Sequence, residues 1–161
     1  MRKFLLIALV FCMTGFVKGQ SWEDSLRLGK KYYAEKQYDK AYSALLEAQK
    51  LAPSHVDLSK DIGNAAYRNE DFEMAEKAFR AAASKDKDES LNAKNWHNVG
   101  NSQMKAKNYE AAIESYKQSL RRNSNDDKTR YNLAEAQRRL KIQEEQQQEQ
   151  NQDQQSEDDD Q

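Results

Sequence analysis

The chain contains very few of the residues that cross-link, bend or interrupt a polypeptide. Its 161 residues include one cysteine, one proline and five glycines. Cys12 lies in an apolar segment near the amino terminus, so the rest of the chain can form neither a disulfide framework nor a thiolate metal site. Stability must therefore come from packing alone. Because the glycines are isolated and apolar residues recur three and four apart, the sequence predicts helices throughout.

The sequence also lacks the motifs of common enzymes and metal sites. It has no HExxH or GxSxG motif, no glycine-rich phosphate loop and no CxxC pair. Its two histidines, His55 and His97, are far apart in the sequence and are more typical of surface residues than of ligands. We therefore expect a protein that is not an enzyme and that binds no cofactor or metal.

Only one long apolar run is present, and it lies close to the amino terminus. Residues 4–17 are largely apolar, follow Arg2 and Lys3, and precede the small residue Gly19. This order is typical of a secretory signal peptide, and the run is shorter than the roughly 20 residues that a membrane-spanning helix needs. We predict a signal peptide at 1–19 and export to the periplasm of a Gram-negative bacterium. The alternative is an uncleaved anchor in the inner membrane.

Positive and negative charges are unevenly distributed along the chain. Residues 143–161 contain eight carboxylates, no basic residue and no apolar side chain, which predicts a disordered, acidic, glutamine-rich tail. Residues 20–142 carry 23 Lys and Arg against 19 Asp and Glu, which is a small excess of positive charge. We therefore expect no nucleic-acid partner. Membrane contact is expected only through a partner or through an uncleaved signal.

The body of the chain, residues 20–142, contains an internal repeat. An aliphatic residue followed by glycine occurs at 28–29, 62–63 and 99–100, so the spacings are 34 and 37 residues. A small residue and then a large apolar residue follow each of these pairs at fixed distances. Three copies in register predict a fold of stacked, similar units. The recurring residues are Gly29, Gly63 and Gly100; Ala41, Ala75 and Ala112; and Leu45, Phe79 and Tyr116.

This pattern resembles the tetratricopeptide repeat, in which W-x2-L-G-x2-Y is followed by A-x3-F and then P with a period of 34 residues. The resemblance covers about two thirds of the chain. It implies an all-α fold, namely a right-handed α-solenoid of about three helical hairpins with a C-terminal capping helix. The domain would span 20–142. Its expected parts are the repeats 22–55, 56–89 and 93–126 and the capping helix 127–142.

The repeat also predicts how the helices begin, end and pack. Each of the three glycines is expected to face one of the three alanines, at a close helix contact that has no room for a larger side chain. Pro53 is expected to end the second helix of the first repeat, and Ser21 to cap the first helix. The three additional residues between the second and third copies are expected to lengthen a loop within 85–93.

Function is expected to come from the concave groove lined by the first helix of each repeat, because a fold alone does not specify function. In members of the family that bind a partner's C-terminal carboxylate, Lys and Asn, then Asn, then Lys and Arg occupy fixed positions of three successive first helices. This chain has Lys60 and Asn64, then Asn98, then Lys128 and Asn132, so the arginine is missing. The resemblance implies charge-assisted binding of a carboxylate by these residues. The alternative is a solvated polar groove.

Aromatic residues and a further asparagine complete the predicted groove. Tyr33 and Tyr67 occupy the same repeat position, and His97 and Tyr131 share another, so an aromatic-lined channel is expected. Asn101 is a further candidate on the first helix of the third repeat. The alternative is that the tyrosines only pack, with their hydroxyl groups in water.

The order of signal, repeats and glutamine-rich tail resembles that of exported tetratricopeptide proteins of the Bat (Bacteroides aerotolerance) operons. This resemblance implies a periplasmic scaffold whose partners are membrane-anchored proteins with von Willebrand factor A domains. Two functions are therefore considered. The first is an adaptor that holds a peptide segment of an envelope partner in its groove. The second is a self-associating envelope component, or a periplasmic co-chaperone, without a dedicated groove ligand.

Overall fold

The computed structural model describes residues 21–159, which form seven α-helices and no strand. Consecutive helices pack against each other in chain order. The expected all-α solenoid of three helical hairpins with one further helix is therefore confirmed. The predicted signal peptide at 1–19 lies outside the described residues. The helices are α1 (Trp22–Ala34), α2 (Tyr38–Leu51), α3 (Ser59–Arg68), α4 (Phe72–Lys85), α5 (Glu89–Lys105), α6 (Tyr109–Arg122) and α7 (Asp127–Asp159).

Polar side chains that precede the helices fix where several of them begin. Ser21 accepts a hydrogen bond at 3.1 Å from the backbone N–H three residues later and caps α1, as expected. Asp71 caps α4 and Asn108 caps α6 in the same way. Each cap satisfies a backbone amide that has no partner inside its helix. At the other end of the first hairpin, α2 ends at Leu51, shortly before Pro53.

The three additional residues between the second and third repeats lengthen a helix and not a loop, so that expectation is wrong. α5 has 17 residues, whereas α1 has 13. Its start is fixed by Asp88, whose carboxylate accepts hydrogen bonds from the backbone N–H groups of Ser90 and Leu91 at 2.8 and 3.0 Å. Because a capping carboxylate favours helix in the residues that follow it, the insertion forms an extra turn.

The last helix extends far beyond the predicted capping helix. α7 has 33 residues and ends at Asp159, so this helix continues past residue 142, where the predicted capping helix was expected to end. Residues 143–159 contain neither glycine nor proline, and they are rich in the good helix formers glutamine and glutamate. The helix propagates through them because adding a residue to a helix costs less free energy than starting one. No helix within residues 21–159 has both the length and the hydropathy of a membrane span.

One large side chain per hairpin lies against the glycine of that hairpin. A Cβ atom added to Gly100 would lie 2.5 Å from Cε1 of Tyr116. The atoms nearest to a Cβ at each glycine thus belong to this large side chain and not to the predicted alanine, although Ala41, Ala75 and Ala112 are fully buried. A large helical side chain leans toward the amino terminus of its own helix, so it covers the preceding turn. The three pairs are Gly29 with Leu45, Gly63 with Phe79, and Gly100 with Tyr116.

The turns inside the three hairpins share one uncommon backbone conformation. Lys36, Glu70 and Lys107 have φ angles of 60°, 61° and 61°, in the left-handed region. In the first hairpin the backbone N–H of Lys36 donates to the carbonyl of Tyr33 at 3.1 Å, and the next N–H donates to the carbonyl of Tyr32 at 2.9 Å. This is the hydrogen-bond pattern of a helix that ends in a left-handed residue. The first and second helices of each repeat are therefore connected by the same type of turn.

Candidate functional site

A groove runs along the face that the first helices of the repeats form together with α7. It consists of three adjoining cavities of about 100, 180 and 360 Å³. The first cavity shares Tyr33 and Asn64 with the second, and the second shares Tyr67 and Asn101 with the third. The three cavities therefore form one continuous surface from α1 to α7, which we call the groove.

Asparagines from the first helices of the second and third repeats, and from α7, line the groove. Asn64 on α3 and Asn98 on α5 are half-buried, and no side chain or backbone group within residues 21–151 hydrogen-bonds to their amides. Asn101 accepts hydrogen bonds from the hydroxyl of Tyr116 at 2.9 Å and from the amide of Asn132 at 3.0 Å. The carboxamides of Asn64 and Asn98 therefore have both donors and acceptors available for a ligand.

Two tyrosines give the groove rigid aromatic surfaces. The ring of Tyr33 packs edge-to-face on Tyr38 with ring centres 5.4 Å apart, and Tyr67 packs in the same way on Phe72 at 5.6 Å. Each supporting ring belongs to the first residue of the following helix. Such packing fixes the orientation of a ring while part of its surface stays accessible. Both tyrosines that were predicted for the groove therefore line it.

Tyr116 lines the groove as well, although only a core position was predicted for it. Its side chain is 1 % exposed, but it borders the third cavity, and its hydroxyl donates to Asn101. Burial raises the pKa of Tyr116, so the hydroxyl stays protonated and acts as a donor at neutral pH. The sequence indicates this role only by the residue type: the third repeat has a tyrosine at the position where the first two have Leu45 and Phe79, which carry no hydroxyl.

His97 does not join the predicted aromatic channel, because it connects α5 to α7. Its Nδ1 atom lies 2.6 Å from Oγ1 of Thr129, and that hydroxyl donates to the carboxylate of Asp126 at 2.8 Å. Since the threonine hydrogen is already used, Nδ1 of His97 is the protonated nitrogen of the ring. Burial lowers the pKa of His97, so the imidazole is neutral at pH 7.

Three other predicted site residues lie outside the three cavities. Lys60 and Lys128 are exposed near the first residues of α3 and α7, and Tyr131 is 73 % exposed. The structure thus brings Tyr33 and Tyr67 together with the asparagines and leaves the two lysines apart from them. Carboxylate binding by these lysines stays a prediction. In the part of the chain that the structure describes, no group of three or more His, Cys, Asp or Glu side chains is placed to hold a metal ion.

The cations that line the second and third cavities were not among the predicted residues. Arg68 lines the second cavity, and the third is lined by Lys105, Lys107 and Arg139. Arg139 also forms an ion pair with Glu135 at 2.7 Å. Arg68, Lys105 and Arg139 are spaced by 37 and 34 residues, the same spacings as the repeats. Alignment of the second repeat, the third repeat and the start of α7 at this position would have identified them from the sequence.

Comparison with models of protein families identifies the repeats. Two models, both described as tetratricopeptide repeat, match residues 26–90 and 93–126. Together these segments span more than half of the chain. The chain belongs to the tetratricopeptide repeat family. A search of curated protein sequences gave no match.

Several solved tetratricopeptide structures share the fold. The first such domain of Spaghetti (RPAP3), bound to the HSP90 peptide SRMEEVD, has a TM-score of 0.61 and 21 % identity, over 75 % of this chain and 94 % of that one. The first such domain of human RPAP3 has a TM-score of 0.64 and 19 % identity, over 78 % of this chain and 97 % of that one. The tetratricopeptide domain of Sgt2 from Aspergillus fumigatus has a TM-score of 0.62 and 20 % identity, over 77 % of this chain and 82 % of that one. At these identities the similarity shows the fold alone.

Proposed function

We propose that this chain is a non-enzymatic adaptor that binds an extended segment of a protein partner in its groove. One observation carries the proposal: Asn64 and Asn98 present amides that have no hydrogen-bond partner within residues 21–151, and they lie in the same cavity as Tyr33 and Tyr67. Carboxamides can hydrogen-bond to the main chain of a ligand, and the tyrosine rings can receive its side chains. We assign no reaction to the groove.

The sizes of the first two cavities also favour an extended segment. Pockets for compact small molecules typically have volumes of about 300–1,000 Å³. The first two cavities have about 100 and 180 Å³, which is room for a single side chain each. Because the cavities adjoin, a chain lying along the groove can place one side chain after another into them. The RPAP3 domain bound to an HSP90 peptide is a precedent for a peptide ligand on this fold.

Site-specific photo-cross-linking in the native cells tests the adaptor proposal. A photoreactive amino acid in place of Asn98 lies in the groove, and one in place of Lys77 is the matched control, exposed on α4. We expect the Asn98 position to cross-link to one defined protein and the Lys77 position not to do so. Adding Asn64→Ala should reduce the yield. Equal labelling at both positions, or none at Asn98, contradicts the proposal.

We further propose that the adaptor acts in the periplasm, in a Bat-type complex with membrane-anchored proteins that contain von Willebrand factor A domains. The support is the signal-like order of residues 1–19 together with the glutamine-rich tail. Fractionation followed by amino-terminal sequencing should give a periplasmic chain that starts at Gln20. Neighbouring reading frames should encode the proposed partners. A cytoplasmic chain that keeps residues 1–19 would contradict this location.

A further inference from the structure

A row of cations follows one rim of the groove. Arg68 is the last residue of α3, Lys105 is the last residue of α5, and Arg139 holds the equivalent repeat position on α7. We call these three residues the cationic rim. The first repeat has Ala34 at this position, so the rim begins at the second repeat. The rim therefore borders the second and third cavities only.

The protein neutralises little of the charge on the cationic rim. Among the described residues, no carboxylate lies within 4.0 Å of the charged groups of Arg68 or Lys105, and only Arg139 has such a partner. Arg68 is held in place by Tyr38, whose hydroxyl accepts its hydrogen bond at 2.9 Å and whose ring centre lies 5.0 Å away. Over the three cavities, five lining residues are cationic and two are carboxylates. The groove thus has an excess of positive charge.

We propose that the cationic rim selects an acidic partner segment by binding Asp or Glu side chains within it. This inference rests on the proposed function, since it specifies the chemistry of the segment that the groove holds. If the asparagines bind the main chain of that segment, its successive side chains can reach cations on successive helices. A single terminal carboxylate could contact only part of the rim. An internal acidic run can contact Arg68, Lys105 and Arg139 in turn.

The rim lies apart from the lysines of the predicted terminal-carboxylate site. On α3, Lys60 is the second residue and Arg68 is the last. On α7, Lys128 is the second residue, whereas Arg139 lies about three turns further on. Replacing two rim cations by glutamate changes the net charge as much as replacing Lys60 and Lys128 by glutamate. The two variants, however, alter opposite ends of the helices that line the groove. This gives a matched pair of variants.

Binding of two labelled synthetic peptides to the full mature chain tests the proposal. Both probes have 12 residues and blocked ends; one alternates Tyr or Leu with Glu, and the other has Gln in place of every Glu. Fluorescence anisotropy at about 50 mM NaCl should show at least about tenfold tighter binding of the Glu peptide. At about 300 mM NaCl this advantage should shrink, because salt screens exposed charges. Blocked ends ensure that no terminal carboxylate contributes.

The variants locate the source of the selectivity. Arg68→Glu combined with Lys105→Glu should abolish the advantage of the Glu peptide, and Arg68→Gln with Lys105→Gln should reduce it. Lys60→Glu with Lys128→Glu should retain most of it. Circular dichroism and unchanged binding of the Gln peptide would verify that each variant is folded. Equal losses in the two charge-reversed variants would show that net charge, and not the rim, selects the ligand.

The remaining outcomes separate this inference from the proposed function. If both peptides bind equally, the groove binds peptides but acidic selection is wrong. If neither binds, acidic selection is also overturned, and cross-linking at Asn98 decides the adaptor proposal by itself. If the Glu peptide binds only after deletion of residues 143–161, the acidic tail is the occupant of the rim, and the partner-segment assignment is overturned.

Discussion

Gly100→Ala tests the packing that joins the third hairpin to the groove. The new Cβ atom would lie 2.5, 2.7 and 2.9 Å from the Cε1, Cδ1 and Cζ atoms of Tyr116. Real Cβ atoms essentially never lie so close to other heavy atoms, so the ring must move. Movement is restricted, because the side chain is 1 % exposed and its hydroxyl is hydrogen-bonded to Asn101.

The magnitude follows from two opposing effects. Overpacking a core by one methyl group typically lowers the free energy of unfolding by about 1–3 kcal/mol. Replacing glycine by alanine inside a helix raises it by up to about 1 kcal/mol. Because the contact at Gly100 is with a constrained ring, we expect a net loss of about 1–2 kcal/mol. Gly29→Ala meets the flexible Leu45 at 2.7 Å, so its net loss should be smaller.

Urea unfolding at 25 °C, followed by circular dichroism, measures this loss as a lower midpoint with an unchanged slope. A double-mutant cycle identifies its cause. Tyr116→Leu recreates the pair that Gly29 forms with Leu45, so Gly100→Ala should cost at least about 0.5 kcal/mol less in that background. If Gly100→Ala is as stable as the parent, or if the two effects simply add, the steric argument is refuted.

Three further predictions concern single side chains. Glu70 has a φ of 61°, so Glu70→Gly should stabilise the protein by up to about 1 kcal/mol, and a lower Tm would contradict this. Gln103→Leu should cost about 1–3 kcal/mol in urea unfolding, because the buried hydroxyl of Ser115 would lose its acceptor at 2.7 Å; an unchanged midpoint would count against it. Burial lowers the pKa of His97 below 6.5, although the charge of Asp126 acts in the opposite direction. The free energy of unfolding should therefore be highest above pH 6.5 and fall as the pH drops, and His97→Gln should flatten this profile.

The repeat register was sufficient to predict the helical hairpins, but it was not sufficient to predict the helix ends. Recurring glycines and alanines mark close helix contacts, and such contacts recur only if the helix pairs do. The start of α5 depends instead on one local side chain, Asp88. The length of α7 depends on a competition between two local tendencies. Composition favoured disorder after residue 142, whereas propagation from an existing helix favours order.

The site could be predicted where a side chain's position on its helix decides its surroundings. Tyr33 and Tyr67 share one repeat position and both line the groove. His97 and Tyr131 also share a position, but the imidazole is directed to Thr129 on α7, while Tyr131 follows the last repeat and is exposed. Equivalent positions are therefore equivalent in surroundings only where the same neighbouring helices are present on both sides.

The packing of the hairpins and the shape of the groove are one feature of this molecule. The large side chain that lies against each repeat glycine also lines one cavity: Leu45 the first, Phe79 the second and Tyr116 the third. A Cβ atom at any of the three glycines would displace the side chain that borders the adjoining cavity. Gly100→Ala should therefore weaken binding of a groove ligand even in conditions where the protein stays fully folded. Binding that is unchanged in such conditions would show that groove and core are independent.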